Sequence, residues 1–130
     1  MWSHRLLRIA AHVDGTRGQL RVLNFVAPQY YNRLKLTVDR VDRVIAHLPR
    51  RVDLVVLDPP RSGAGRAVIT HLTSRRPRAI AYVACDPAAL ARDLGTARDQ
   101  GYEPVSIRAF DLFPMTHHVE CVAILIPAGQ

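Results

Sequence analysis

The chain has 130 residues, enough for one domain and too few for two. With 48% hydrophobic and 22% charged residues it is not a disordered chain, and a real core is affordable. The net charge is +7 and all but one of the 18 basic residues are arginine, which suits a polyanionic partner because the guanidinium pairs with phosphate bidentately.

Two cysteines, Cys85 and Cys121, do not make a disulfide framework. Free thiols fit a cytoplasmic chain. The N-terminal stretch Leu6 to Ala11 is short and broken by Arg8, unlike a secretory signal. No apolar run approaches the ~20 residues needed to cross a bilayer, so no membrane partner is expected.

In chain order, residues 1–37 form an N-terminal segment without a sharp pattern. A weak alternation from Leu20 to Val26 suggests a strand, ended by Pro28. Tyr30 and Tyr31 suit base stacking or ordinary packing. From residue 38 onward a catalytic part is expected. Leu34, Val38, Val41, Ile45 and Leu48 recur at spacings of four and three, which predicts an amphipathic helix over 34–48 stopped by Pro49. Val52 to Leu57 is a β-branched run that reads as a strand buried on both faces. A helix over 65–75 follows, closed by Pro77, and then a second buried strand over 79–84. Pro87 to Arg98 reads as a helix with Asp86 as its N-cap, Pro87 in its first position and Gly101 after its end. Val105 to Ala109 and Val119 to Ile126 are the last strands. The order implies an α/β fold with a mainly parallel sheet and an antiparallel final strand. In such sheets ligands bind at the carboxyl ends of strands, where Asp58, Cys85 and Glu120 fall.

Three segments carry chemistry. In Asp58-Pro59-Pro60-Arg61-Ser62-Gly63 the prolines force the chain stiffly out of the strand and hold a carboxylate at the sheet edge. Arg61 offers a fork of donors suited to phosphate or carboxylate. In Tyr82-Val83-Ala84-Cys85-Asp86-Pro87 the thiol lies between a strand end and a helix start. The helix dipole there is expected to lower its pKa and expose the reactive thiolate, although a buried structural cysteine is the commoner fate. In the segment from Phe110 to Glu120 a carboxylate opens an otherwise apolar strand, and desolvation suits it to proton transfer. His117 and His118 lack a third ligand at metal-binding spacing, so no metal is expected. Cys121 should face the core.

Together the three segments resemble the RNA uracil-5-methyltransferase family, which modifies transfer and ribosomal RNA. The family pattern has Asp-Pro-Pro/Ala-Arg-x-Gly, then Tyr-x-Ser-Cys-Asn-Pro, then Asp-x-Phe-Pro-x-Thr-x-His-x-Glu, and the match covers roughly residues 38–130. The resemblance implies the C-terminal half of a Rossmann-like class I methyltransferase fold. It implies S-adenosylmethionine as methyl donor, bound in part by Asp58. It makes Cys85 the nucleophile that adds to uracil and Glu120 the proton acceptor, with tRNA or rRNA as partner. Ala84, Asp86, Ala89 and Met115 depart from the usual residues without removing a catalytic group, and Asp86 adds a negative charge beside Cys85.

Family members also carry an upstream Gly-rich strand–loop–helix. Asp14-Gly15-Thr16-Arg17-Gly18 follows no convincing strand and has the wrong spacing for it. No cysteine cluster suits the iron–sulfur site of some members. The alternatives are an inactive remnant, a chain that needs a complementing partner, or a basic RNA-binding module. Only the segment 20–26 or the 34–48 helix is available to cover strand 52–57, and an edge left open would favour self-association and weak binding of the methyl donor.

Overall fold

The computed structural model describes residues 8–10, 22–26, 50–112, 115–116 and 118–130. Among these, six strands form one sheet: β1 (Arg8–Ala10), β2 (Val22–Val26), β3 (Leu54–Asp58), β4 (Ala79–Ala84), β5 (Tyr102–Phe110) and β6 (Glu120–Pro127). The helices are α1 (Arg66–Thr73) and α2 (Pro87–Asp99). The strand order is β1-β2-β3-β4-β6-β5. β2, β3 and β4 run parallel, while β6 is antiparallel to both β4 and β5. The α/β class and the antiparallel final strand match the expectation from sequence.

Period-2 alternation decides the layers. Val55 and Leu57 of β3, Ile80, Tyr82 and Ala84 of β4, and Cys121, Ala123 and Leu125 of β6 are all buried. They share one face, against which Val68, Ile69 and Leu72 of α1 and Leu90 and Ala97 of α2 close the core. α1 and α2 also touch each other, so both cover the same face. The intervening residues of the three strands are half-buried. β3 is therefore apolar on both faces but fully buried on one, a correction to the doubly buried strand expected.

The uncovered edge expected for β3 is also corrected. β2 pairs with it from Val22↔Leu54 to Val26↔Asp58, and β4 pairs on its other side. The ground for self-association through this strand is thereby removed. β5 begins at Tyr102, three residues before the strand read from sequence. β5 takes in Pro104 because it is an edge strand with a register shift between Pro104 and Ser106, a setting where a missing N–H is tolerated. The helix expected over 34–48, Tyr30, Tyr31, the Asp14–Gly18 segment and His117 lie outside the described residues.

Leu57 is fully buried in the central strand, whereas Ile107 on the edge strand is 56% exposed. Leu57→Ala should cost about 2–5 kcal/mol in urea unfolding, through lost burial and a residual cavity. Ile107→Thr should stay within about 0.5 kcal/mol of the parent chain.

Candidate active site

Strand parity brings the candidate groups together. Asp58 ends β3 on the face away from the helices, continuing the half-buried series Leu54 and Val56. Cys85 follows the last residue of β4 and continues the series Ala79, Ala81 and Val83 on that same face. The β4–β6 register pairs Ala84 with Cys121. One step further it sets Cys85 beside Glu120, the first residue of β6. β6 runs against β4, so its beginning lies at the carboxyl ends of β3 and β4. Cys121 points the other way and is buried, as its parity requires. Asp58, Cys85 and Glu120 thus meet at the sheet end expected from sequence.

The electrostatics agree with that placement. Burial, with the nearby Glu120 acting in the same sense, raises the Asp58 carboxyl to about 6. Burial also pushes the Cys85 thiol up, as do the charges of Glu120 and Asp58. The Arg61 guanidinium and the cysteine's own backbone N–H oppose this. The direction corrects the lowering expected from the helix dipole, and the reason is local. Asp86, not Cys85, caps α2, and its carboxylate accepts the N–H groups of Ala88 at 2.9 Å and Ala89 at 3.0 Å. The amides that would stabilise a thiolate are already taken, and the helix end already has its anion. Arg61 therefore supplies the favourable charge. Its guanidinium also bonds the His118 ring, which ties the 59–65 loop to the segment entering β6.

Sequence reasoning missed the support beneath this loop. Asp93 of α2 is only 1% exposed. Its carboxylate accepts the Ala64 N–H at 2.7 Å, the Gly65 N–H at 3.2 Å and the Tyr82 hydroxyl at 2.6 Å. Burial and the bond to Asp93 both push the Tyr82 phenol above its ordinary range. Gly63 lies so close to α2 that a Cβ there would stand 2.7 Å from Asp93 Oδ2, and its φ of +81° is in the glycine region. A signal was present: Ala89, Asp93 and Ala97 repeat at a spacing of four, which puts a carboxylate on the apolar face of α2. Two cavities of about 600 and 660 Å³ sharing Arg51, Ser74 and Arg76 lie elsewhere, near the starts of β3 and β4.

A family model described as tRNA (Uracil-5-)-methyltransferase matches residues 32–127. An uncharacterized RNA methyltransferase of Streptomyces avermitilis is 59% identical over 104 residues, covering 77% of this chain and 23% of the relative. One from Bifidobacterium longum is 40% identical over 115 residues, covering 86% of this chain and 25% of the relative. The crystal structure of Pyrococcus abyssi tRNA (uracil-54, C5)-methyltransferase in complex with S-adenosyl-L-homocysteine is 40% identical with a TM-score of 0.51. It covers 58% of this chain and 18% of its own. The chain spans about a quarter of the length of the curated relatives it matches. Over the 58% of the chain it covers, the structural likeness is to part of a Rossmann-like class I methyltransferase fold.

The raised Asp58 carboxyl has a stability consequence. A carboxyl with a raised folded-state pKa binds its proton more tightly in the folded chain, so its favourable contribution is full below the unfolded value near 3.8 and is lost as pH climbs to about 6. Asp58→Asn removes that titration. Thermal melts between pH 4 and pH 7 should show the parent chain losing more stability over this window than the variant. Parallel pH dependence of the two would mean that Asp58 is solvated.

Proposed function

The chain belongs to the tRNA (uracil-5-)-methyltransferase family, and on that premise we propose that it carries the chemical groups of an S-adenosylmethionine-dependent enzyme methylating carbon 5 of a uridine in tRNA or rRNA. One observation carries the proposal: the β4–β6 register sets Cys85 beside Glu120, with Asp58 and Arg61 within electrostatic reach.

The residue types suit the reaction. Carbon 5 of uracil is a weak nucleophile until a thiolate adds at carbon 6. Cys85 forms that carbon–sulfur bond, and the ring electrons move toward carbon 5 and the carbonyl oxygen at carbon 4. When bound, S-adenosylmethionine supplies an electrophilic methyl on a cationic sulfur. Once carbon 5 is methylated, Glu120 removes its proton, the 5,6 double bond re-forms and the Cys85 thiolate leaves. Arg61 favours the thiolate at the start and end of the cycle. The target base must leave its stack to reach the thiol.

Asp58 is the residue assigned to the methyl donor. Its carboxyl is half-buried and strained toward the neutral form in part by Glu120. A cationic sulfonium nearby would offset that repulsion, so the donor set fits such a ligand. The arginine-rich composition suits the phosphates of the RNA partner. Both cysteines are free thiols, and a reducing cytoplasm is the compartment we assign. A second reading is that the chain works with a complementing part of the catalytic domain.

With 5-fluorouridine RNA and the methyl donor, a covalent complex should accumulate, because fluorine blocks proton removal. Cys85→Ser should abolish it and Cys121→Ser should spare it. The reverse assignment would sink the proposal. An adduct formed only after adding the upstream part of a relative's domain would select the second reading. In Glu120→Gln the methyl should transfer while release slows by roughly a hundredfold or more, leaving methylated RNA attached to protein. Normal turnover in that variant would remove Glu120 from the mechanism.

A further inference from the structure

Asp93 is a carboxylate in the helix–sheet interior, where an apolar side chain would pack at less cost. Its bonds do not serve its own helix. They reach the Tyr82 hydroxyl on β4 and two consecutive backbone N–H groups, Ala64 and Gly65, in the loop that leaves β3. The neighbouring Arg92 donates to the Ser62 carbonyl, and the Gly63 N–H donates to the Pro60 carbonyl at 2.8 Å. The backbone from Pro60 to Gly65 is thus held at almost every residue. Pro59 and Pro60 carry the stiffness back to Asp58. Arg61 stands between two anchored residues, Pro60 and Ser62, with its guanidinium toward His118 and Cys85.

We propose that Asp93, acting with the Tyr82 hydroxyl, is a positioning residue that fixes the 60–65 loop and thereby holds Arg61 beside the Cys85 thiol. This rests on Cys85 being the reacting thiol. Asp93 touches no reacting group and works through the backbone of the loop. Among the described residues, three charged groups act on the thiol, Asp58 from β3, Glu120 from β6 and Arg61 from the loop, while the adjacent Asp86 has its carboxylate turned onto Ala88 and Ala89. Arg61 is the cation among them, so loosening the loop removes the charge that favours the thiolate.

The test is the pH profile of Cys85 alkylation by iodoacetamide, read site by site by mass spectrometry so that Cys121 does not interfere. It needs neither RNA nor methyl donor. Arg61→Gln should move the midpoint upward by roughly half a unit or more. Asp93→Asn and Tyr82→Phe should move it in the same direction. Adding Asp93→Asn to Arg61→Gln should move it no further, because both act through one group. Tyr82→Phe keeps the ring in the core and carries the test if Asp93→Asn does not fold. An unmoved profile in a folded Asp93→Asn or Tyr82→Phe protein overturns the proposal, as does an additive double variant. Missing 5-fluorouridine adducts together with the expected alkylation shifts would instead overturn the methylation reading and leave the positioning role standing.

Discussion

The pairing of Ala84 with Cys121 is the contact on which the site depends. Glu120 and Cys85 are far apart in the chain, and nothing local makes them neighbours. The last strand does so by running back against β4 in one register. A slip of one residue would turn Glu120 into the helix-covered face and bring Cys121 out beside Cys85. The inward set Cys121, Ala123 and Leu125 guards against it, since these are small or apolar residues fitted to a face closed by α1 and α2. Hydrophobic burial therefore fixes the position of a carboxylate that itself gains nothing from burial.

The site so assembled sets like charges against one another. Asp58 and Glu120 repel, and both disfavour the Cys85 thiolate, against which Arg61 is the favourable side chain among the described residues. Such a balance is costly for folding but useful for a site that receives a cation and makes an anion. In the proposed reaction a sulfonium would relieve the carboxylates. Arg61 would then act on the thiol with less opposition. Burial and the two carboxylates together oppose ionisation of the thiol.

Over residues 50–130 local rules were enough for the order of the elements and for which residues reach the sheet end, but they gave no strand at Arg8–Ala10. Residues 79–84 form the strand expected of them, and Asp86 with Pro87 starts α2 as the capping residues foretell. What local rules missed came from elsewhere in the chain. The dipole argument for Cys85 failed because burial and Glu120 outweigh it, and because the Asp86 cap takes the helix-end amides, a competition visible in sequence only if both residues are weighed for the same donors. The segment 20–26 was one of two available to cover β3, but its parallel pairing there runs across a long connection, which periodicity does not announce. Asp93 was legible as a misplaced charge on an apolar helix face, but its partners Ala64, Gly65 and Tyr82 are long-range and nothing in their identities marks them.

The Asp58-Pro59-Pro60-Arg61-Ser62-Gly63 segment changes meaning once Asp93 is seen beneath it. Read as sequence, its prolines and glycine are turn residues. In the fold each limits the chain differently. The prolines stiffen the exit from β3, and Gly63 has the positive φ and the missing Cβ that let the backbone lie against Asp93 Oδ2. The loop is consequently held from below by a buried acceptor as well as by the packing of Ala64 in the core. That leaves Arg61 free of structural duty in the core and available at the surface of the site. A polar anchor suits this task better than an apolar one, because hydrogen bonds to consecutive amides fix the direction of the backbone as well as its distance, and direction decides where the arginine points.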